Sequence, residues 1–338
     1  MHLDLSLGRR HLALFLGSIG ALVVLAATPQ LLGDRVGAGI EGLSDASAVW
    51  IWIAGAAFAG SLLTSAAAWR SALTRCGGST SRPDSAARYC TGSVVNALAP
   101  AKIGTAVRFA LFSRTLPNEG RLWTVGGIAT SIGAVRALWL ALVLTLGSLS
   151  GALPRWPIAL LLLGVLVAAI VAWRARSTRP GSKYAHALDV FRVLGRCPRA
   201  AAQITGWVGL AMAFRLAAAT AIAAAFGVDQ PLIAALLIIP ALDLAGILPL
   251  TPGNVGVASA AVAFALKAHG VGSEVALTAG IAFGAVETLT TLALGCGSLL
   301  YFAGARTEVR RWQPAAAAVT GAFALAAAFG VTVIFPLV

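Results

Sequence analysis

Six charged side chains lie inside otherwise apolar runs of this 338-residue chain: Lys102, Arg108, Arg136, Arg215, Asp243 and Glu287. A charge at the centre of a membrane helix costs on the order of 2.5–3.5 kcal/mol, so each needs a physical reason to be there. Four cations face two anions, and the surplus positive charge suits an anionic group such as a lipid phosphate. Arg136 follows Thr130, Ser131 and Gly133 in mid-span, and Arg215 is placed similarly in a later span. Both are candidates to pair with Asp243 or Glu287, as coupling groups or structural ion pairs. Arg108 lies nearest an interface, where snorkelling competes with ligand binding. Lys102 lies within a break between helices, beside N-termini whose partial positive charge already favours anions, and is the first candidate for a phosphate ligand.

That break is one of two. The first reads Asn96-Ala97-Leu98-Ala99-Pro100-Ala101-Lys102-Ile103-Gly104, and the second Leu248-Pro249-Leu250-Thr251-Pro252-Gly253-Asn254-Val255-Gly256. They share Leu-x-Pro-x-x-(Ile/Val)-Gly, which aligns Pro100 and Gly104 with Pro252 and Gly256. Proline ends a helix by removing a donor and clashing with the preceding turn, and the following glycine gives the chain freedom to turn into the next helix. Asn96, Thr105, Thr251 and Asn254 add neutral hydrogen-bonding groups at the breaks, either toward a ligand or as helix caps. Non-helical backbone at membrane depth survives only where protein or a water-filled cavity satisfies it, and matched breaks in two halves point to a transporter's binding site.

The elements that must position these residues are helices in a bilayer. Hydrophobic residues make up 59% of the chain and charged residues 11%, against roughly 25% charged in soluble domains. The expected fold is an all-α polytopic membrane protein, a single integral membrane domain over residues 1–338 with no soluble domain. About seven full spans are predicted, near His11–Leu32, Ala48–Trp69, Leu122–Leu149, Trp156–Trp173, Ala200–Phe226, Glu274–Ala303 and Pro314–Phe335. The first, preceded by Arg9 and Arg10, reads as an uncleaved span rather than a signal peptide. Residues 84–118 and Pro231–Gly270 are predicted to be re-entrant broken-helix hairpins, because their arms of about 15 residues are shorter than the roughly 20 needed to cross hydrocarbon.

With this topology 18 of the 25 Lys and Arg fall on the cytoplasmic side, three outside and four within the membrane. That bias puts the N-terminus inside, the C-terminus outside and the basic loop 174–199 inside. It also accounts for the net charge of +13 without nucleic acid. Residues 48–150 and 203–303 each read span–hairpin–span, beginning on opposite sides, which is an inverted-topology repeat. Tyr184, Ala187, Leu188, Phe191 and Leu194 fall at helical spacing among basic residues, as in an interfacial helix on an anionic leaflet. Gly280-x-x-x-Gly284 reads as a close helix-packing face.

No catalytic constellation is present: there is no Gly-x-Ser-x-Gly elbow, no His-x-x-Glu-His and no Walker-type phosphate loop. Cys76, Cys90, Cys197 and Cys296 are scattered and the four histidines lack ligand spacing, so neither a metal site, a cofactor nor a disulfide framework is expected.

At the two breaks the chain resembles the transmembrane, flippase-like region of lysylphosphatidylglycerol synthases and their stand-alone relatives. The resemblance is carried by Asn96…Pro100-x-x-x-Gly104-x-x-x-Arg108 and by Pro249-Leu250-Thr251-Pro252-Gly253-Asn254-Val255-Gly256-Val257, with similar hydropathy and loop placement over roughly residues 10–305. It implies a polytopic fold with re-entrant segments and, in fused members, movement of aminoacylated phosphatidylglycerol between leaflets. The family often has acidic residues where this chain has Thr105 and Ser259, and glycine in place of Asn254. No aminoacyl-transferring domain is found in these residues, so lipid movement rather than lipid synthesis is expected.

The expected function is therefore a lipid flippase of a bacterial or archaeal cytoplasmic membrane, moving an anionic phospholipid or a polyprenyl-phosphate-linked lipid. Its partners would be the membrane lipid, through its anionic headgroup, and a lipid-modifying enzyme. The alternatives are a membrane enzyme acting on lipid-linked substrates and a non-transporting partner subunit.

Overall fold

The computed structural model describes residues 46–98, 103–117, 120–151, 197–246 and 256–304. The expected spans near His11–Leu32, Trp156–Trp173 and Pro314–Phe335, the interfacial helix at Tyr184–Leu194, and Pro100, Lys102, Thr251, Pro252, Gly253 and Asn254 lie outside them. Among the described residues there are eight helices: α1 Ala48–Arg75, α2 Arg82–Leu98, α3 Ile103–Ser113, α4 Arg121–Leu149, α5 Pro198–Ala225, α6 Pro231–Ala245, α7 Val257–Ala268 and α8 Ser273–Gly304.

Their lengths divide them into two classes. Helices α1, α4 and α5 have 28, 29 and 28 residues, and all but the last two residues of the 32-residue α8 belong to an apolar stretch. At 1.5 Å per residue each exceeds the roughly 30 Å of hydrocarbon. These four are long and apolar enough to cross a membrane. The 17, 11, 15 and 12 residues of α2, α3, α6 and α7 are too few to span alone. They pack as consecutive pairs, α2 with α3 and α6 with α7. Most helix bounds fall close to the expected ones, although α1 runs on past the expected end at Trp69 to Arg75; Pro198 and Pro231 occupy the first turns of α5 and α6, where a missing N–H costs nothing.

Helices α1 and α5 form the central contact and run antiparallel. The Ser47 amide donates to the Ala225 carbonyl at 3.0 Å, joining the start of α1 to the end of α5. At the opposite end Ala72 and Leu73 share a cluster with Ala200 and Ile204. Alanine dominates the buried faces, with Ala54, Ala57, Ala218, Ala219, Ala221 and Ala223 all at most 5% exposed. Small side chains let backbones approach, which is how helices gain packing energy where lipid removes the hydrophobic difference. Two aromatic contacts fill the remaining volume: Phe58 meets Phe283 edge-on at 5.0 Å, and Trp69 stacks on Phe112 at 4.9 Å. Leu122, Leu138, Leu142 and Leu149 of α4 remain exposed, as suits an outward face in hydrocarbon.

The remaining packing follows a regular scheme. Helix α4 packs on α3 and also on α6; correspondingly α8 packs on α7 and also on α2. Helix α1 contacts α2, α4 and α8, as α5 contacts α6, α8 and α4. Exchanging α1–α4 for α5–α8 leaves this set of pairings unchanged.

Two glycines aligned by sequence serve different physical ends. Gly256 precedes α7 with φ 72°, a backbone conformation that L side chains rarely adopt. Gly104, expected to turn the chain, instead lies within α3 and faces α2. A Cβ there would run into the Gly92 carbonyl oxygen and the Asn96 backbone. Gly92 in turn leaves no room for a side chain, since its Cβ would come 2.8 Å from Arg108 Cβ. Arg88 closes the other end of this pair, donating to the Leu111 carbonyl of α3 while paired with Asp84 at 2.8 Å. Gly280 and Gly284 bring α8 against Ser259 of α7, as close packing requires.

Candidate functional site

Three of the intramembrane charges meet where α4, α5 and α6 converge. Arg136 on α4 donates from Nη2 to Asp243 Oδ1 at 2.6 Å, and Arg215 on α5 donates from Nη1 to the same oxygen at 2.8 Å. Asp243 stands in the last turn of α6, just before the second break. Its other oxygen, Oδ2, is buried without a hydrogen-bond partner. The side chains of Asp243 and Arg215 are 12% and 19% exposed, that of Arg136 50%. Arg215 is thus held in the protein, whereas Arg136 reaches its partner from a half-open position.

Glu287, at the middle of α8, is half-buried and feels the charges of Arg215, Arg136 and Asp243, yet forms no ion pair among the described residues. Tyr89 of α2 is also within electrostatic range of Arg215. Its ring carries the Arg108 guanidinium at 4.0 Å, a cation–π contact. Arg108 Nη2 donates to Ser93 Oγ at 2.9 Å, and its buried Nε has no partner. Thr91 Oγ1 and Asn96 Oδ1 are likewise buried and unpartnered. Buried polar atoms without partners are rare, since each costs about 1–3 kcal/mol, and a group of them on one helix pair asks for water or ligand. Thr105 is half-buried on α3.

Arg136, Arg215 and Asp243 are therefore brought together, with Glu287 close by, and Arg108 and Asn96 belong to the α2–α3 pair. Tyr89, Ser93 and Thr91 escaped the reading of the sequence. The available signal was the polarity of α2: Tyr89, Ser93 and Asn96 recur at helical spacing in an arm expected to be apolar. Counting described residues only, three arginines face two carboxylates, so positive charge remains in excess. Such a site can hold an anion through planar, multidentate donors.

No curated protein matches this chain. The pattern of the lysylphosphatidylglycerol synthase TM region matches residues 12–295, which takes in every described helix up to the last turns of α8. This match, together with the long apolar helices, establishes that the chain belongs to the family of the lysylphosphatidylglycerol synthase TM region and is a multi-pass membrane protein.

Proposed function

We propose that the protein moves an anionic phospholipid or polyprenyl-phosphate-linked lipid between leaflets. The observation that carries this reading is the pair of guanidiniums converging on one carboxylate oxygen within an apolar bundle. That arrangement leaves donors and positive charge for a phosphate at membrane depth. In this reading α2–α3 and α6–α7 are re-entrant hairpins of two inverted repeats, an organisation supported by the antiparallel α1–α5 pair and by helix pairings unchanged on exchanging the halves. In this reading Lys102 supplies a phosphate contact, and Arg108, Asn96, Thr105, Thr251 and Asn254 contribute further polar contacts to the lipid. The site belongs to one membrane domain of seven spans in a cytoplasmic membrane, with its C-terminus outside. A lipid-modifying enzyme supplies the substrate.

The test is transport by purified protein in proteoliposomes containing tail-labelled phosphatidylglycerol, followed by dithionite quenching of the outer leaflet. Wild type is expected to expose label from the inner leaflet. Lys102→Ala and Arg136→Gln each slow this at least tenfold with normal expression, and Lys102→Arg retains part of it. Full transport by both Lys102→Ala and Arg136→Gln, or none by wild type, overturns the reading.

A further inference from the structure

We infer that Asp243 is a built-in counter-anion, whose carboxylate holds the place between Arg136 and Arg215 that a phosphate group takes when substrate binds. This rests on the proposal that the two arginines face an anionic lipid. The ion-pair geometry is one-sided. Both guanidiniums donate to Oδ1, at 2.6 and 2.8 Å, while Oδ2 is buried and unpartnered. A carboxylate fixed as a structural bridge would be expected to use both oxygens, since guanidinium and carboxylate form two parallel bonds readily. Here one oxygen does the work of two acceptors. A phosphate brings more oxygens to the same donors.

The surroundings favour exchange at this position. Arg215 is held by burial, but half of the Arg136 side chain is exposed, so one of the two donors is open to an incoming group. Glu287 lies within electrostatic range of both arginines without pairing with either, which leaves Asp243 as the anion in contact with them among the described residues. Asp243 also stands at the end of α6, beside the break, whereas its partners lie mid-helix in α4 and α5. Displacement of Asp243 therefore needs movement at a helix end rather than in the bundle. Occupation of the arginines by Asp243 lowers the apparent affinity for phosphate by the fraction of time they are free. It also spares the protein an uncompensated buried cation, Arg215, when empty.

The experiment titrates short-chain phosphatidylglycerol, and separately inorganic phosphate, into detergent-purified wild type and Asp243→Asn. Asparagine keeps a neutral acceptor and removes the competing charge. Asp243→Asn is expected to bind the lipid about tenfold more tightly, as expected if the carboxylate occupies the arginines some nine-tenths of the time. Tightening for inorganic phosphate alone supports displacement by a free anion and overturns the lipid as its source. Unchanged or weaker binding in Asp243→Asn, with wild type binding normally, overturns the counter-anion role and leaves the transport reading intact. No lipid binding by wild type overturns both. A measurement on wild type covers the case in which the variant does not fold: labelling of Asp243 by a hydrophobic carbodiimide, read by peptide mass spectrometry, rises on adding the lipid if the carboxylate is released. Unchanged or reduced labelling overturns the inference.

Discussion

Arg136 and Asp243 are 107 positions apart and meet at 2.6 Å, one on the last helix of the first half, the other at the end of the short helix α6 in the second. Their contact ties the two halves together at the level of the bound charges. Arg215 shares the carboxylate from within the second half, so the two arginines are not equivalent. Removing Arg215 strips Asp243 of its buried partner and is expected to cost about 3 kcal/mol or more. Removing Arg136, whose side chain is half-exposed, is expected to cost about 1 kcal/mol or less. Denaturation of Arg215→Met and Arg136→Met in detergent checks the order. Equal losses would mean that burial does not distinguish the two partners.

A second prediction concerns the aligned glycines. Gly104→Ala forces a methyl group against backbone atoms of α2, 2.8 Å from Asn96 Cα and nearer still to the Gly92 carbonyl. Backbone cannot yield as a side-chain tip can, so the α2–α3 pair should separate and folded yield collapse. Gly256→Ala meets nothing in space and suffers only its φ of 72°, about 1–3 kcal/mol. Monodisperse yield on size exclusion should separate the two variants. A well-behaved Gly104→Ala would show that the α2–α3 pair is looser than this packing requires.

These glycines also mark how much the sequence discloses. Proline, charge and apolar run length place the described helices to within a few residues, because such signals act locally. Two short helices, Arg82–Leu98 and Ile103–Ser113, fall within the stretch where the sequence predicts two short arms. The glycine of the shared motif is visible too, but not its purpose: Gly104 serves interhelical contact and Gly256 backbone conformation. The choice of Asp243 over Glu287 as the partner of both arginines is likewise hidden, since it depends on how α4 and α5 pack against α6. Arg108 is hidden for the same reason, its partners Tyr89 and Ser93 being set by the close approach of α2 and α3.

A third prediction uses the Arg108 contacts. Tyr89→Phe keeps the aromatic face and should leave stability nearly unchanged. Tyr89→Leu removes the cation–π contact and should cost about 1–2 kcal/mol. Ser93→Ala removes the hydroxyl acceptor and should cost about 1 kcal/mol more, because Arg108 Nε already lacks a partner. Thermal unfolding of the single and double variants checks whether the losses couple, as they should for groups sharing one guanidinium. Strict additivity would place Tyr89 and Ser93 in separate roles.

The last prediction joins topology to thiol chemistry. Cys76 follows the end of α1 and Cys197 precedes the start of α5; because these helices are antiparallel, both thiols pack at the same end of the bundle. In the proposed topology, argued from the charge bias of the sequence, that end faces the cytoplasm. A membrane-impermeant maleimide added outside intact cells should therefore miss both, and in inverted vesicles it should reach both. Both are half-buried, but burial pushes the Cys76 thiol above its ordinary range. The reactive species is the thiolate, so a raised pKa leaves less of it at neutral pH and Cys76 should react more slowly there. Its rate should continue to climb well into the alkaline range. Single-cysteine variants, labelled from each side across a pH series, separate orientation from reactivity. Labelling of either thiol from outside would reverse the topology, while a Cys76 rate that levels in the ordinary thiol range would remove burial as a control on its reactivity.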